Sequence, residues 1–550
     1  MSIAPAPALV LPSGSRPRFL VAAGIGVAVV LAIPLLSIVA SVFSPGGQAW
    51  DHLAATVLPG YVKNTLWLLL WVAIGTAMVG VGAAWLVTSC QFPGRALLEW
   101  ALVLPLAMPA YVIAYAYTDL LQFSGPVQSL LRDTFGWSRN DYWFPDVRSL
   151  GGAAAMFVCV LYPYVYLLAR VAFLGQSGSL TEAGRTLGLS AWQSFFRLSL
   201  PLARPAIVAG VALALMETLA DFGTVAYFGV QTFTTGIYRA WLSMGEPVSA
   251  AKLSLWLLAF VMVVLALERG SRRGARYFEA PATKQRVRVV LSGRNAIAAS
   301  FVCMLPLVAG FLLPLALLAR MSIGGGDEQF GSRFIVLAAN SFKLAAITAG
   351  IAVSLALLMA YGARLAKSRL ASAVNRFAAL GYAVPGSVIA VGVLIPATRI
   401  DHFIADLTGA GLILTGSIAA LVYAYLVRFL AVALQTVEAG LAKITPNMED
   451  AARSLGLGAA ETLARVHAPL LKPSLVTAAL LVFVDVMKEL PATFVMRPFN
   501  FDTLAVQAFN LASDERLAEA STASLAIVAV GLLPVIVASR RIVRPEAAAK

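Results

Sequence analysis

The stretch TEAGRTLGLSAWQSFFRLSLPLARPAI (Thr181–Ile207) recurs, at an offset of 268 residues, within MEDAARSLGLGAAETLARVHAPLLKPSL (Met448–Leu475). Gly188 falls on Gly456, Pro201 on Pro469 and Pro205 on Pro473, and Ala183, Arg185, Leu187, Leu189, Ala191, Arg197, Leu202 and Val208 repeat in the same register. Apolar segments align by chance as leucine on leucine, whereas glycines, prolines and arginines in fixed register mark a duplication. Upstream the duplication continues at an offset of 276: Asn64 meets Asn340, and PAYVIA (Pro109–Ala114) meets PGSVIA (Pro385–Ala390). The drop in offset places an eight-residue insertion in or around the aromatic loop Phe135–Trp143 of the first copy.

What is duplicated is a membrane unit. Of 550 residues, 60% are hydrophobic and 12% charged, against roughly 45–50% and about 25% in soluble domains. Apolar stretches of about 20 residues, the length that crosses a bilayer, occur near 19–43, 62–89, 98–122, 150–175, 203–221 and 250–267. They return near 296–320, 335–362, 375–398, 411–435, 473–490 and 519–539. The expected fold is therefore all-α and polytopic, with about twelve spans in two six-helix repeats. An even number of spans per repeat gives both halves the same orientation, so their pseudo-two-fold axis runs along the membrane normal.

The net charge of +14 would suggest nucleic acid in a soluble chain. In a membrane chain Lys and Arg collect on the cytoplasmic side, and a nucleic-acid partner is excluded on that ground. Arg16 and Arg18 before the first span, Arg540, Arg541 and Arg544 after the last, and eight basic residues between Glu268 and Arg294 place both termini and that segment in the cytoplasm. The first span reads as retained rather than as a cleaved leader. The domain reading is a cytoplasmic N-terminus at 1–18, a first half at 19–267 with its core at about 62–267, a basic linker at 268–295, and a second half at 296–540 with its core at about 335–539.

Each copy of the opening stretch begins on an acidic residue, which complements a helix dipole. It then passes a Gly that permits a sharp turn and enters a second helical stretch that the Pro is expected to end. This pattern resembles the EAA loop of ABC importer permeases. Glu182, Ala183, Gly188 and Pro201 fill it in the first copy, with Gly184 where Ala is usual. Asp450, Ala451, Gly456 and Pro469 fill it in the second, with Asp for Glu and Ala468 where Leu is usual.

The resemblance implies that both loops dock on cytosolic ABC ATPase subunits, two per transporter, and that a periplasmic substrate-binding protein delivers cargo to a multi-pass subunit of the bacterial inner membrane. Two fused halves, with LADFGTVAYFGVQTFTTGIYRAW (Leu219–Trp241) and KELPATFVMRPFNFDTLAV (Lys488–Val506) after the loops, resemble the permease of ferric-iron importers. Thiamine and organophosphonate permeases share the fused layout and are the alternative, and a gradient-driven secondary transporter is a more distant one. The iron assignment follows from resemblance alone.

Two acid pairs stand in the same register: Glu217 and Asp221, and Asp485 and Glu489. Residues four apart share a helix face, and ionisable groups within a span normally face a pathway or a partner. The four acids either line a cation route between the halves or form a structural network, with Lys488 adjoining one pair. A hard trivalent cation favours oxygen ligands. His52, His402 and His467 read as incidental loop residues, and Met216, Met487 and Met496 as packing residues; no metal site is assigned. The three cysteines, Cys90, Cys159 and Cys303, are too scattered for a disulfide framework or a zinc site. No Gly-Lys dipeptide occurs, so the P-loop is absent and ATP must be used by a partner. The chain is expected to bind no cofactor and to catalyse no reaction.

Overall fold

A computed structural model describes residues 16–45, 47–176, 186, 188–272, 288–324, 331–366, 368–409 and 411–547. Glu182, Ala183 and most of the basic linker lie outside these residues. The first half contributes α1 (Arg16–Val42), α2 (Leu58–Ser89), α3 (Ala110–Leu121), α4 (Leu150–Gly175), α5 (Leu200–Ala220) and α6 (Pro247–Arg272). The second contributes α7 (Gly293–Gly324), α8 (Ser332–Ala366), α9 (Gly386–Thr408), α10 (Ile418–Leu441), α11 (Ala468–Met487) and α12 (Leu517–Ala547). Among the described residues eleven helices are long and apolar enough to cross a membrane. A broken pair, Arg95–Ala107 and Ala110–Phe135, bent by 94°, makes twelve when counted as one span.

The break recurs in both halves for one reason. A residue before proline is pushed out of the helical region: Met108 before Pro109 has φ −96°, ψ 115°, and Val384 before Pro385 has φ −80°, ψ 123°. Each third span therefore enters as a short helix, Arg95–Ala101 or Arg369–Ala378, and turns at the proline into α3 or α9. In the first half the chain breaks again after Leu121 and adds the helix Pro126–Phe135, so the extra length lies in this connection. There Phe135, Trp137 and Tyr142 stack in succession, with ring centroids 4.6 and 5.6 Å apart.

Three helices form the heart of each half, and small residues let them meet. A Cβ added to Gly80 of α2 would lie 2.7 Å from Val165 Cβ and 2.9 Å from the backbone of Tyr162 and Tyr166 in α4. One added to Gly210 of α5 would lie 2.6 Å from Val165 Cα. In the second half Ala356, Ala433 and Ala478 stand at the matching positions, all fully buried. A smaller residue on the central helix makes room for larger ones on its neighbours. Such close approach supplies the dispersion contacts that hold helices together where lipid removes the hydrophobic drive.

Polar ties repeat as well. Asn64 Nδ2 donates to the Gln231 carbonyl at 2.9 Å and Asn340 Nδ2 to the Asp502 carbonyl at 3.1 Å, so each second helix holds the connection beyond the fifth. Arg170 of α4 pairs with Glu99, which also meets Arg95 at 3.0 Å. In the second half the roles are exchanged: Asn375 Nδ2 donates to Glu438 Oε1 at 2.7 Å. The contact survives although neither residue does.

The start of the expected linker is helical, since α6 runs on to Arg272, and its end is fixed by a two-residue parallel pairing of Val289–Val290 with Cys90–Gln91. Pro201 and Pro469 do not end helices. Each lies inside a continuous helix, Trp192–Ala220 or Leu463–Met487, directly after a π-helical turn that accommodates the proline.

These contacts predict that Gly80→Ala lowers thermal stability in detergent by about 1–3 kcal/mol, because its Cβ must displace backbone. Gly82→Ala, with nothing within 4 Å of the new atom, should be neutral or gain up to about 1 kcal/mol of helix propensity. Equal melting temperatures for the two variants would contradict the packing.

Candidate functional site

The helices α5 and α11 end within the body of the protein, at Ala220 and Met487. Their last turns carry Glu217 and Asp485, and the residues just beyond carry Asp221 and Glu489. All four border one cavity of about 120 Å³ between the halves, together with Tyr111, Tyr164, Tyr382, Arg428 and Lys488. The structure thus brings the four acids together at one cavity. The expectation that each pair shares a helix face is not met, because the helix stops between its members.

Asp221 has extended backbone, with ψ 138°, and turns back to cap the short helix Gly223–Tyr227. The Thr224 N–H donates to its Oδ1 at 2.9 Å and the Thr224 hydroxyl to its Oδ2 at 3.1 Å. Glu489 does the same for the helix Pro491–Met496. The N–H groups of Ala492 and Thr493 donate to it at 2.9 and 3.0 Å, and the Thr493 hydroxyl at 2.6 Å. Carboxylates in these positions satisfy orphan N–H groups and complement the helix dipole. Only 2% of the Glu489 side chain is accessible.

Glu217 and Asp485 are left to face the cavity, with 27% and 19% of their side chains accessible. The Tyr382 hydroxyl donates to Glu217 Oε1 at 2.9 Å, from the other half. Lys488 Nζ lies 3.0 Å from Asp485 Oδ1, so the lysine neutralises Asp485 and not its neighbour Glu489. Arg428, in the middle of α10, places Nη2 3.8 Å from Glu217 Oε2 and Nη1 3.8 Å from Glu489 Oε1. Sequence reasoning passed over Arg428 and Tyr382. The signal for Arg428 was present, as one cation in the apolar run VYAYLVRFLAVAL (Val422–Leu434). Among the described residues no group of three or more His, Cys, Asp or Glu is placed to hold a metal ion, so the cluster offers charges without a closed coordination cage.

The loop copies form a second candidate region. In the second, the helix Pro446–Ser454 ends in a Schellman turn: Leu457 N–H donates to the Ala452 carbonyl at 3.1 Å and Gly456 N–H to the Arg453 carbonyl at 2.9 Å. Gly456 takes φ +82° and Gly188 φ +74°, so both matched glycines occupy the left-handed region. Asp450 and Ala451 are exposed, and Asp450 pairs with Arg453 at 2.7 Å. Arg364 of α8 clamps the stem of this loop. It pairs with Glu449, and its Nη2 donates to the Ile444 carbonyl at 2.6 Å. His467, expected in a loop, is instead fully buried in the π-helical turn before α11, 3.5 Å from Glu449. Met487 and Met496 are buried and Met216 packs against the core, in agreement with a packing role.

The chain matches the family model described as binding-protein-dependent transport system inner membrane component twice, at residues 76–267 and 352–545. It is 26% identical over 479 residues to the Fe(3+)-transport system permease protein FbpB 2 of Haemophilus influenzae, covering 86% of this chain and 88% of that one. It is 24% identical over 488 residues to the putative ferric transport system permease protein FbpB 1 of the same organism, covering 84% and 74%. The molybdenum transport system permease protein ModB of Escherichia coli is 30% identical over 203 residues, which is 36% of this chain and 86% of that protein.

The division of labour among the acids predicts that Glu489→Ala destabilises the folded protein by about 1–3 kcal/mol, since it orphans buried N–H groups. Glu489→Gln, which keeps an acceptor, should recover part of this. Asp485→Ala should cost less, because its lysine partner is 35% accessible and can turn to water. Thermal unfolding in detergent checks the order; Asp485→Ala proving the more damaging would contradict it.

Proposed function

We infer function from one premise: the chain belongs to the binding-protein-dependent transport system inner membrane components and carries their membrane domain twice. It is the complete pathway subunit of an ATP-driven importer, with the two domains fused at the segment 268–295. Both termini and both loops lie in the cytoplasm. Two separate ABC ATPase subunits engage the loops, through Glu182, Ala183, Gly188 and Pro201 in one and Asp450, Ala451, Gly456 and Pro469 in the other. A periplasmic binding protein delivers cargo at the opposite face.

The cargo is ferric iron. One observation carries this reading: Glu217 and Asp485, at the same register in two halves, meet in one cavity on the interface. Two carboxylates facing a shared cavity offer hard oxygen ligands to a hard cation, and the open geometry suits passage over residence. The relatives named for ferric transport extend across both halves of the chain, whereas the molybdenum permease corresponds in length to one. The matched loops have no use in a gradient-driven carrier.

Reconstitution with the ATPase and the binding protein of the same cell tests the reading. Ferric uptake should require ATP and fall at least about tenfold in Glu217→Gln combined with Asp485→Asn, a loss of about 1.4 kcal/mol or more at the rate-limiting step. Gly188→Val with Gly456→Val, each forcing a β-branched residue to φ > 0 at about 1–2 kcal/mol, should uncouple ATP hydrolysis from uptake. Wild-type uptake in both variants would overturn the assignment.

A further inference from the structure

Arg428 is buried in the middle of a membrane helix, with 10% of its side chain accessible, and two carboxylates stand near it without hydrogen-bonding it. Its two carboxylate neighbours sit at 3.8 Å, beyond hydrogen-bond reach, and its Nε is buried with no partner. A guanidinium fixed in place for folding alone would be expected to take the bidentate geometry it favours. Here the nearer carboxylates are already committed elsewhere, Glu489 to backbone N–H groups and Glu217 to Tyr382. Arg428 also breaks the repeat, because the matching position in the first half is Val160, which borders the same cavity. Lys488, the other cation at the cavity, is paired with Asp485 at 3.0 Å, so Arg428 is the one that stands off its carboxylates.

We propose that Arg428 is a tethered plug: its guanidinium occupies the cation position between the two halves when the pathway is empty, and a passing cation must displace it. This rests on the reading of the cavity as a cation route and adds what selects the traveller. Two acids facing the cavity would attract any small cation. Arg428 and Lys488 offset Glu217 and Asp485, the two acids not committed to helix caps, so a monovalent or divalent ion gains less by entering. A highly charged ion competes better for Glu217, and loosening of the halves lets Arg428 retreat. The surplus donors of the guanidinium mark the freedom to do so.

The experiment is passive cation entry into proteoliposomes holding the assembled complex without ATP, read by quenching of a trapped dye with manganese(II). Arg428→Gln should admit manganese at least about tenfold faster than wild type, since removing a like charge lowers the barrier to entry, while Arg428→Lys stays near wild type. Arg170→Gln is the control, because it breaks a buried ion pair whose members do not line the cavity. Wild-type tightness in Arg428→Gln would overturn the proposal, as would equal leakage from Arg170→Gln, which would trace entry to loosened packing. Should Arg428→Gln fail to assemble, Arg428→Met, uncharged and close in length, takes its place in the same comparison. The leak is independent of cargo and of ATP. Loss of the plug without a leak therefore fails this inference alone, and a leak in a complex that carries no ferric iron fails the cargo assignment alone.

Discussion

The Arg428–Glu217 approach is the constraint on which the rest of the molecule depends. A charge in hydrocarbon costs about 2.5–3.5 kcal/mol on insertion scales, and each of these charges lies on a helix that would otherwise face lipid or its own half. Facing each other across the interface at 3.8 Å, they oblige the halves to meet with their polar positions inward. Breaking such a buried set is costly because it strands a partner. That cost fixes which faces of α5, α10 and α11 turn toward the axis, and the tyrosines that surround them complete a polar interior within an apolar bundle.

Duplication supplied the frame and divergence supplied the working parts. Glu217 and Asp485 occupy one register, as do Asp221 and Glu489, and each second member caps a short helix beyond the end of α5 or α11. The cations are not duplicated. Arg428 has Val160 as its counterpart, and the clamp of Arg364 on Glu449 and Ile444 corresponds to Thr88 and Thr181 in the first half. The second loop is thus anchored to its spans by an arginine for which the first half has no arginine in register.

Much of this was legible in the sequence. Hydropathy located the spans because apolar length is a direct requirement of the bilayer, and Gly188 with Gly456 announced turns that do adopt positive φ. What failed did so for identifiable reasons. Helical spacing placed Glu217 and Asp221 on one face, but the helix ends at Ala220, and spacing rules stop where the helix stops. Pro201 was expected to terminate a helix that instead runs through it, from Trp192 to Ala220. The exchange of Arg170–Glu99 for Glu438–Asn375 is invisible to residue matching, because only the contact is retained. Arg428 was hidden by averaging, since a window of about 20 residues dilutes one charge among apolar neighbours.

Coupling then has a physical route. Force applied at Gly456 would reach α11 through the π-helical turn and α8 through Arg364, and α11 carries Asp485 at the cavity. Cryo-electron microscopy of the assembled transporter, trapped with ATP and compared with the nucleotide-free state, measures the central claim most directly through the Arg428 Nη2 to Glu217 Oε2 separation. The account predicts that this pair parts by several ångströms while the bonds from Ala492 and Thr493 to Glu489 stay intact. An unchanged separation in an ATP-bound state whose cavity has opened would contradict it.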